Sequence, residues 1–308
     1  MISEKVSEMD KENVGTIFIL IGLFVYGIHP VVVEFGGLLL APLVFASIAA
    51  LIAGLIALFF ARKSTPPIGR GLIVTDIRRL VMAGVLGTFL AFTCLFIGLQ
   101  LTSANNAAII LRSELVFALI FSYIFLDETI SKRQLAWMAL MVFGVLLVVV
   151  SNQLVIVGFG DLLLLVTPFA WAAGHTYAKP ALPRVSSWTA VAFRNLVGGA
   201  LLLLLAIGVI LLGGVAFYTS NFTIIVAVIL VEAVVILLAH SLWYEGIRRI
   251  NLGKATALIA PAPLVTFTLY AFVFKVPPTL WQLIGAILVI VATILLAQEA
   301  SLHRKPDT

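Results

Sequence analysis

Ten predominantly apolar runs, each close to or above the roughly 20 residues an α-helix needs to cross a bilayer, leave this chain little else to fold into. They lie near 14–34, 40–61, 80–100, 104–126, 134–151, 160–178, 187–212, 222–245, 253–274 and 280–298. Only 11% of the 308 residues are charged while 62% are hydrophobic, and mean hydropathy is +1.20. A water-soluble fold could not cover that apolar surface with the polar residues on hand. The runs are continuous rather than alternating over segments of about ten residues, which excludes a transmembrane β-barrel. An all-α, polytopic membrane protein with ten transmembrane helices is therefore predicted.

The cations set the expected orientation. With ten spans the connections alternate sides, and sixteen of the 19 Lys and Arg fall on the side of the two termini. Lys275 alone falls on the other, and Arg112 and Arg194 lie inside spans. Such bias predicts a cell-membrane protein with both termini cytoplasmic. The formal charge of +5 does not point to nucleic acid, because the cations sit in short loops between membrane runs. The single cysteine, Cys94, excludes a disulfide framework and a cysteine zinc site. The first fourteen residues mix acids and bases and lack the marks of a signal peptide, so the first span is expected to be retained.

An internal repeat organises the chain. At an offset of 148, Phe45 meets Phe193, Gly98 meets Gly246, Ala107 meets Ala255 and Gln134 meets Gln282. Near the start the offset slips by two or three residues, so that Tyr26 matches Trp171 and Glu34 matches Lys179. Two units follow, 14–151 and 158–298, with five spans each. An odd number of crossings turns the second copy over, and inverted repeats around a midplane site are the mark of secondary transporters.

The run Thr102–Leu115, TSANNAAIILRSEL, resembles the fourth-helix pattern of the drug/metabolite transporter superfamily, in its EamA-like branch, in which small residues lead to Glu-Pro. Glu114 matches the Glu and Leu115 replaces the Pro. Leu126-Asp127-Glu128 resembles the closing Leu-Gly-Glu of that helix, and Gly160-Asp161 the opening of a second copy. Phe193-Arg194 fits the seventh span loosely, and Pro263 matches the proline of the second copy, with Val276 where a closing Glu is usual. The resemblance implies a central cavity between two five-helix halves and movement, often outward, of small metabolites or drugs.

Charges inside a membrane helix normally face the protein interior or a wet cavity. Arg112 and Glu114 stand two positions and about 200° apart on one helix, so one is expected to meet the cavity while the other ties its helix to a neighbour. The alternative is that both are structural partners of Glu232 or Glu34. Glu114 is the candidate proton carrier, with protons a candidate coupling ion. Glu232 and His240 share a face of the eighth span with Trp243; Trp243 and Tyr244 are read as interfacial anchors. Trp171 and His175 follow Pro168 in the sixth span, and His29 and Glu34 flank Pro30 in the first. Arg194 either holds an anionic group or pairs with Glu232. Pro261 and Pro263 break the ninth span at the level of Arg112 and Glu114. Substrate contact is thus assigned to Glu114, Arg112, Glu34, His29, Trp171, His175, Arg194, Glu232, His240, Pro261 and Pro263.

No catalytic set, cofactor, metal site or Walker loop is legible. The function expected is secondary-active transport, outward, of a small polar or amphipathic metabolite by alternating access, as a monomer or homodimer in the bilayer. The rival is a non-transporting receptor or assembly subunit, which predicts buried charges that are all paired and no cavity.

Overall fold

Each apolar run becomes one helix. The computed structural model describes residues 2–66, 72–126, 131–151, 158–214, 216–250, 255 and 258–302. These residues are arranged as α1 (Ile2–Gly37), α2 (Pro42–Lys63), α3 (Val74–Gly98), α4 (104–126), α5 (Lys132–Ser151), α6 (Phe159–Ala178), α7 (Ser187–Leu211), α8 (Phe222–Ile247), α9 (Ala262–Phe274) and α10 (Leu280–Leu302). Among the described residues, Lys11–Gly37, α2, α3, Ala104–Phe121, α7 and α8 are each long and apolar enough to span a membrane alone. α9 is shorter than its apolar run because Ile259, Ala260 and Pro261 form a turn before it. Residues 127–130, including Glu128, lie outside the described residues.

Helix starts are fixed by local side chains that satisfy orphan amide groups. Ser103, Ser186 and Asn221 accept from the amides of Asn106, Thr189 and Ile224 at the starts of α4, α7 and α8. Two reciprocal capping boxes stand 148 residues apart. Ser131 and Gln134 open α5, with bonds of 2.7 and 3.1 Å; Thr279 and Gln282 open α10, with bonds of 2.9 and 3.2 Å.

That offset recurs throughout. Leu111–Ser113, a 3₁₀ turn that interrupts α4, maps onto the turn 259–261, and Glu114–Leu126 maps onto all of α9. Helix pairing obeys the same exchange. α2 lies along α7, α5 along α10 and α4 meets α9; α1 packs on α8 and α9 as α6 packs on α3 and α4. Swapping the halves maps each pairing onto itself or another, so the fold has a pseudo-two-fold axis.

Without a hydrophobic force between helices in lipid, close backbone approach supplies the packing energy. A side chain on Gly54 of α2 would stand 2.9 Å from the Leu196 amide of α7, and one on Gly144 of α5 would stand 3.1 Å from the Gly285 carbonyl of α10. Ala46 and Ala50, in register with Gly54, are fully buried. On the outer faces of α5 and α10, Phe143, Leu146, Ile287 and Val291 are exposed, as lipid-facing residues are.

Loops expected on one side are tied to one another. At the cation-rich end, Arg184 forks onto Asp76, Arg248 donates to the Val185 carbonyl, and Ser64 donates to Ser186 at 2.7 Å. At the opposite end, Thr102 donates to Asp161 at 2.8 Å and Gln282 to Asn106 at 2.8 Å, while the Ala41 amide donates to the Ala216 carbonyl.

Candidate functional site

The interruption of α4 has a local cause. Ser113 donates its hydroxyl to the Ile110 carbonyl at 2.8 Å. That carbonyl would otherwise accept the Glu114 amide, which bonds instead to Leu111, one residue nearer. A serine hydroxyl competing with the backbone thus tightens one turn. In α9 the cause is proline: Pro263 has no N–H to offer the Ile259 carbonyl. That carbonyl accepts the Ala262 amide at 3.0 Å instead, and Arg112 donates Nη1 to it at 3.2 Å. The two interruptions therefore meet across the pseudo-axis, and an arginine bridges them.

Arg112 and Glu114 do face different neighbours. Arg112 turns to the break before α9; Glu114 turns to α6, where its Oε1 stands 3.4 Å from His175 Nε2. Both are buried, and no carboxylate among the described residues lies within ion-pair distance of Arg112, whose Nε has no hydrogen-bond partner. Neither pairs with Glu232 or Glu34, contrary to the structural alternative.

Arg194 is the hub of a second cluster. It is 1% exposed, and each of its guanidinium nitrogens is bound. Nη2 donates to Gly87 O at 2.7 Å, Nε to Thr88 Oγ1 at 3.3 Å, and Nη1 to Tyr244 Oη at 3.2 Å beside His175 Nδ1 at 3.4 Å. Gly87 lies in a π-helical segment, Val85–Leu90, within α3. The wider turn frees carbonyls from the regular ladder, and such bulges cluster at functional sites. Gly87 also admits the guanidinium, because a Cβ there would stand 3.0 Å from Arg194 Cζ. Arg194 does not pair with Glu232; its charge is dispersed over a carbonyl, hydroxyls and an imidazole.

Trp243 and Tyr244 are not interfacial anchors. They are 1% and 0% exposed, and Trp243 Nε1 donates to His175 Nδ1 at 3.2 Å. That bond makes His175 Nδ1 the acceptor and Nε2 the proton-bearing nitrogen, aimed at Glu114. Tyr26 of α1 packs edge-on against Trp243, with ring centroids 6.0 Å apart. A chain Glu114–His175–Arg194–Tyr244 thus links α4, α6, α7 and α8.

The other assigned residues divide. His29 and Glu232 form a separate pair, Nδ1 to Oε1 at 2.9 Å, roofed by Phe92 and Phe96 of α3. The two atoms stand at hydrogen-bond distance, and neither has another partner. His240 stacks on Phe92 with centroids 6.0 Å apart and leaves Nδ1 without a partner; Trp171 Nε1 is likewise buried and unpartnered. Glu34 does not join the clusters. Its carboxylate accepts from the Ala104 amide, at the positive end of α4, and from Tyr270 Oη at 2.9 Å. Pro261 caps α9 and Pro263 opens it. Arg112, Glu114 and Glu232 are thus not neutralised by one another.

Tyr26, Thr88, Tyr244 and the Gly87 carbonyl were absent from the sequence-based assignment. The one signal for Tyr244 is the repeat, which sets it opposite the wholly apolar Phe96. Among the described residues no group of three metal-ligating side chains converges.

Two broken, repeat-related helices enclosing polar groups in a polytopic helical protein are the arrangement expected of a membrane transporter. Sequence comparison specifies which. The profile of the EamA-like transporter family matches residues 13–150 and again 158–298, and the chain belongs to that family. It is 24% identical over 281 residues to a protein of Salmonella typhimurium (strain LT2) called "Probable amino-acid metabolite efflux pump", spanning 88% of this chain and 90% of that one. An Escherichia coli (strain K12) protein of the same name matches with the same identity and coverage. An uncharacterized Bacillus subtilis (strain 168) transporter, YyaM, is 25% identical over 70% of this chain and 71% of its own. A solved crystal structure shares the fold with a TM-score of 0.63 and 17% identity, covering 94% of this chain and 97% of that one. The protein is thus a multi-pass membrane transporter of a small molecule rather than an enzyme.

Proposed function

We propose that the chain is a secondary-active exporter of small zwitterionic amino-acid metabolites, working by alternating access in the cell membrane with both termini cytoplasmic. The observation that carries this reading is Arg112: a buried guanidinium with a bare Nε and, among the described residues, no carboxylate within ion-pair distance, set where the breaks of α4 and α9 meet. A cation there costs about 2.5–3.5 kcal/mol on insertion scales. A structural arginine recovers that from a complete set of partners, as Arg194 does. Arg112 is left short of an anion, and a substrate carboxylate supplies one, with bonds of the charge-assisted kind. Glu114, which turns to His175 of α6 rather than to the break before α9, offsets an ammonium group's charge from the other side of α4. The names of the two enterobacterial relatives support the same solute class.

The units 14–151 and 158–298 would rock about the pseudo-axis. The end ties Asp76–Arg184 and Thr102–Asp161 are placed to open alternately, because each joins helices of different halves. α5 and α10 face lipid, or the partner in a homodimer.

The test is a thermal-shift screen of the full chain in detergent against the twenty L-amino acids, nucleosides and cationic drugs. It is followed by exchange of the best binder, radiolabelled, in liposomes. Arg112→Gln and Glu114→Gln should each slow exchange at least tenfold, equivalent to about 1.4 kcal/mol of lost binding. Arg112→Gln should leave the melting midpoint equal or higher, since a desolvated charge has been removed. Unchanged exchange, or a collapse of stability, would make Arg112 a structural residue.

A further inference from the structure

We propose that the His29–Glu232 pair is a proton-binding site that couples solute movement to the proton gradient, separate from the solute site at Arg112 and Glu114. This inference rests on the transporter reading. It differs from the sequence-based expectation, which put the proton on Glu114.

Three carboxylates near helix ends are held by hydrogen-bond donors. Asp76 accepts two bonds from Arg184; Glu34 accepts from an amide and a phenol; Asp161 accepts from Thr102. Each is a satisfied structural acid. Glu232 differs. Its side chain is 0% exposed and its one partner at hydrogen-bond distance is His29, whose Nδ1 lies 2.9 Å from Oε1. Two such atoms in contact without solvent must share a proton, carried either by the imidazole or by the carboxyl. A neutral imidazole donating Nδ1–H leaves the pair at −1, its carboxylate facing apolar protein that only hydration can stabilise; one further proton, making the imidazole a cation or the carboxyl neutral, brings the pair to zero.

The surroundings leave no substitute for water. From α3 the pair meets the Phe92 and Phe96 rings, and the membrane section of α2 offers no ionisable side chain. On α8 the nearest is His240, which feels Arg194, His175 and His29. Tyr270 of α9 is held by Glu34, and Arg194 of α7 and His175 of α6 are held by each other and by Tyr244 and Trp243. His29 is the ionisable group acting directly on Glu232.

Coupling follows from position. α1 packs along α8, and the pair joins them across the boundary between the two halves. Parting of α1 and α8 admits water, and one proton leaves the pair for it, from the imidazolium or from the carboxyl O–H, taking the pair from neutral to −1. An empty carrier closes only when one proton returns, whereas the solute-loaded carrier closes without it. One full cycle therefore exchanges one proton for one solute. His29 is followed directly by Pro30, whose missing N–H frees the Tyr26 carbonyl and loosens α1 at this level.

The test uses the full chain in liposomes containing a trapped pH-sensitive dye, with an equimolar mixture of the twenty L-amino acids as the solute probe. In the wild type, an inward proton gradient should accelerate exit of the labelled mixture at least tenfold, with dye-reported proton movement. In Glu232→Gln, whose amide can still bond His29, gradient-free exchange should stay within twofold while both the acceleration and the proton movement vanish. His29→Gln should behave alike and serves where the first variant folds poorly. Acceleration that survives in both variants, or is absent from a wild type that does exchange, overturns the proton site and leaves the transport reading standing. A wild type with no exchange at all refutes the transport reading, and the coupling role with it. Difference infrared spectra of the lipid-embedded protein give an independent readout, a titrating carboxyl or imidazole signal lost in Glu232→Gln; its persistence would also overturn the site.

Discussion

Substituting Gly87 by alanine probes the Arg194 hub without touching any of its hydrogen-bonding groups. An added Cβ would stand 3.0 Å from Arg194 Cζ, 3.1 Å from Nη2 and 3.3 Å from Nε. A free arginine would swing aside, but this one is fixed by Gly87 O, Thr88, Tyr244 and His175. The backbone of α3 cannot retreat toward α6 either, since Gly174 sits so close that its own Cβ would lie 3.0 Å from Gly87 Cα and N. Displacing the guanidinium weakens one or two bonds to a charged group, each about 1.5–3 kcal/mol. Alanine's helix propensity returns about 1 kcal/mol, so the net loss should lie between about 0.5 and 5 kcal/mol. Gly208→Ala is the control, because nothing lies within 4 Å of its Cβ position; it should be neutral or slightly stabilising. The assay is the melting midpoint in detergent at one fixed scan rate, since such unfolding is commonly irreversible. Equal midpoints for wild type and Gly87→Ala, or an equal fall in the control, would refute the claim that Arg194 is locked in place.

Two further outcomes follow from the helix ends. Gln134→Ala and Gln282→Ala each remove half of a capping box, worth about 1 kcal/mol. Gln282 also donates Nε2 to Asn106 at 2.8 Å, so its loss should cost more than the cap alone; a fall no larger than about 1 kcal/mol would refute that added tie. Asp76→Asn should lower the midpoint by loosening Arg184. Because the Arg184 side chain is 43% exposed, the difference from wild type should shrink as salt is raised, which a salt series of melting curves would check.

The apolar runs and the repeat were legible because they are properties of order along the chain. Run length against bilayer thickness dictates the helices, and the 148-residue offset reappears in the capping boxes at Ser131 and Thr279 and in the matched pieces Glu114–Leu126 and Ala262–Phe274. The break before α9 was legible because proline lacks a donor. Its partner in α4 was not, since Leu115 stands where a proline would announce it and the turn depends on which acceptor Ser113 chooses. The π-helical segment of α3 was equally hidden, being made where Gly87, Gly174 and Arg194 meet from three helices.

The sequence by itself determined a polytopic helical protein of two related halves, and that charges at Arg112, Glu114, Arg194 and Glu232 would be enclosed, since neither lipid nor a continuous helix can satisfy them. Only the tertiary structure decided which partners they take. Arg194 spreads its charge over a carbonyl, Tyr244 and His175; Trp243 turns inward; Glu232 meets His29; Arg112 stays short of an anion. The physical reason is that helix periodicity fixes the face a side chain occupies. The crossing of helices far apart in sequence fixes what that face meets.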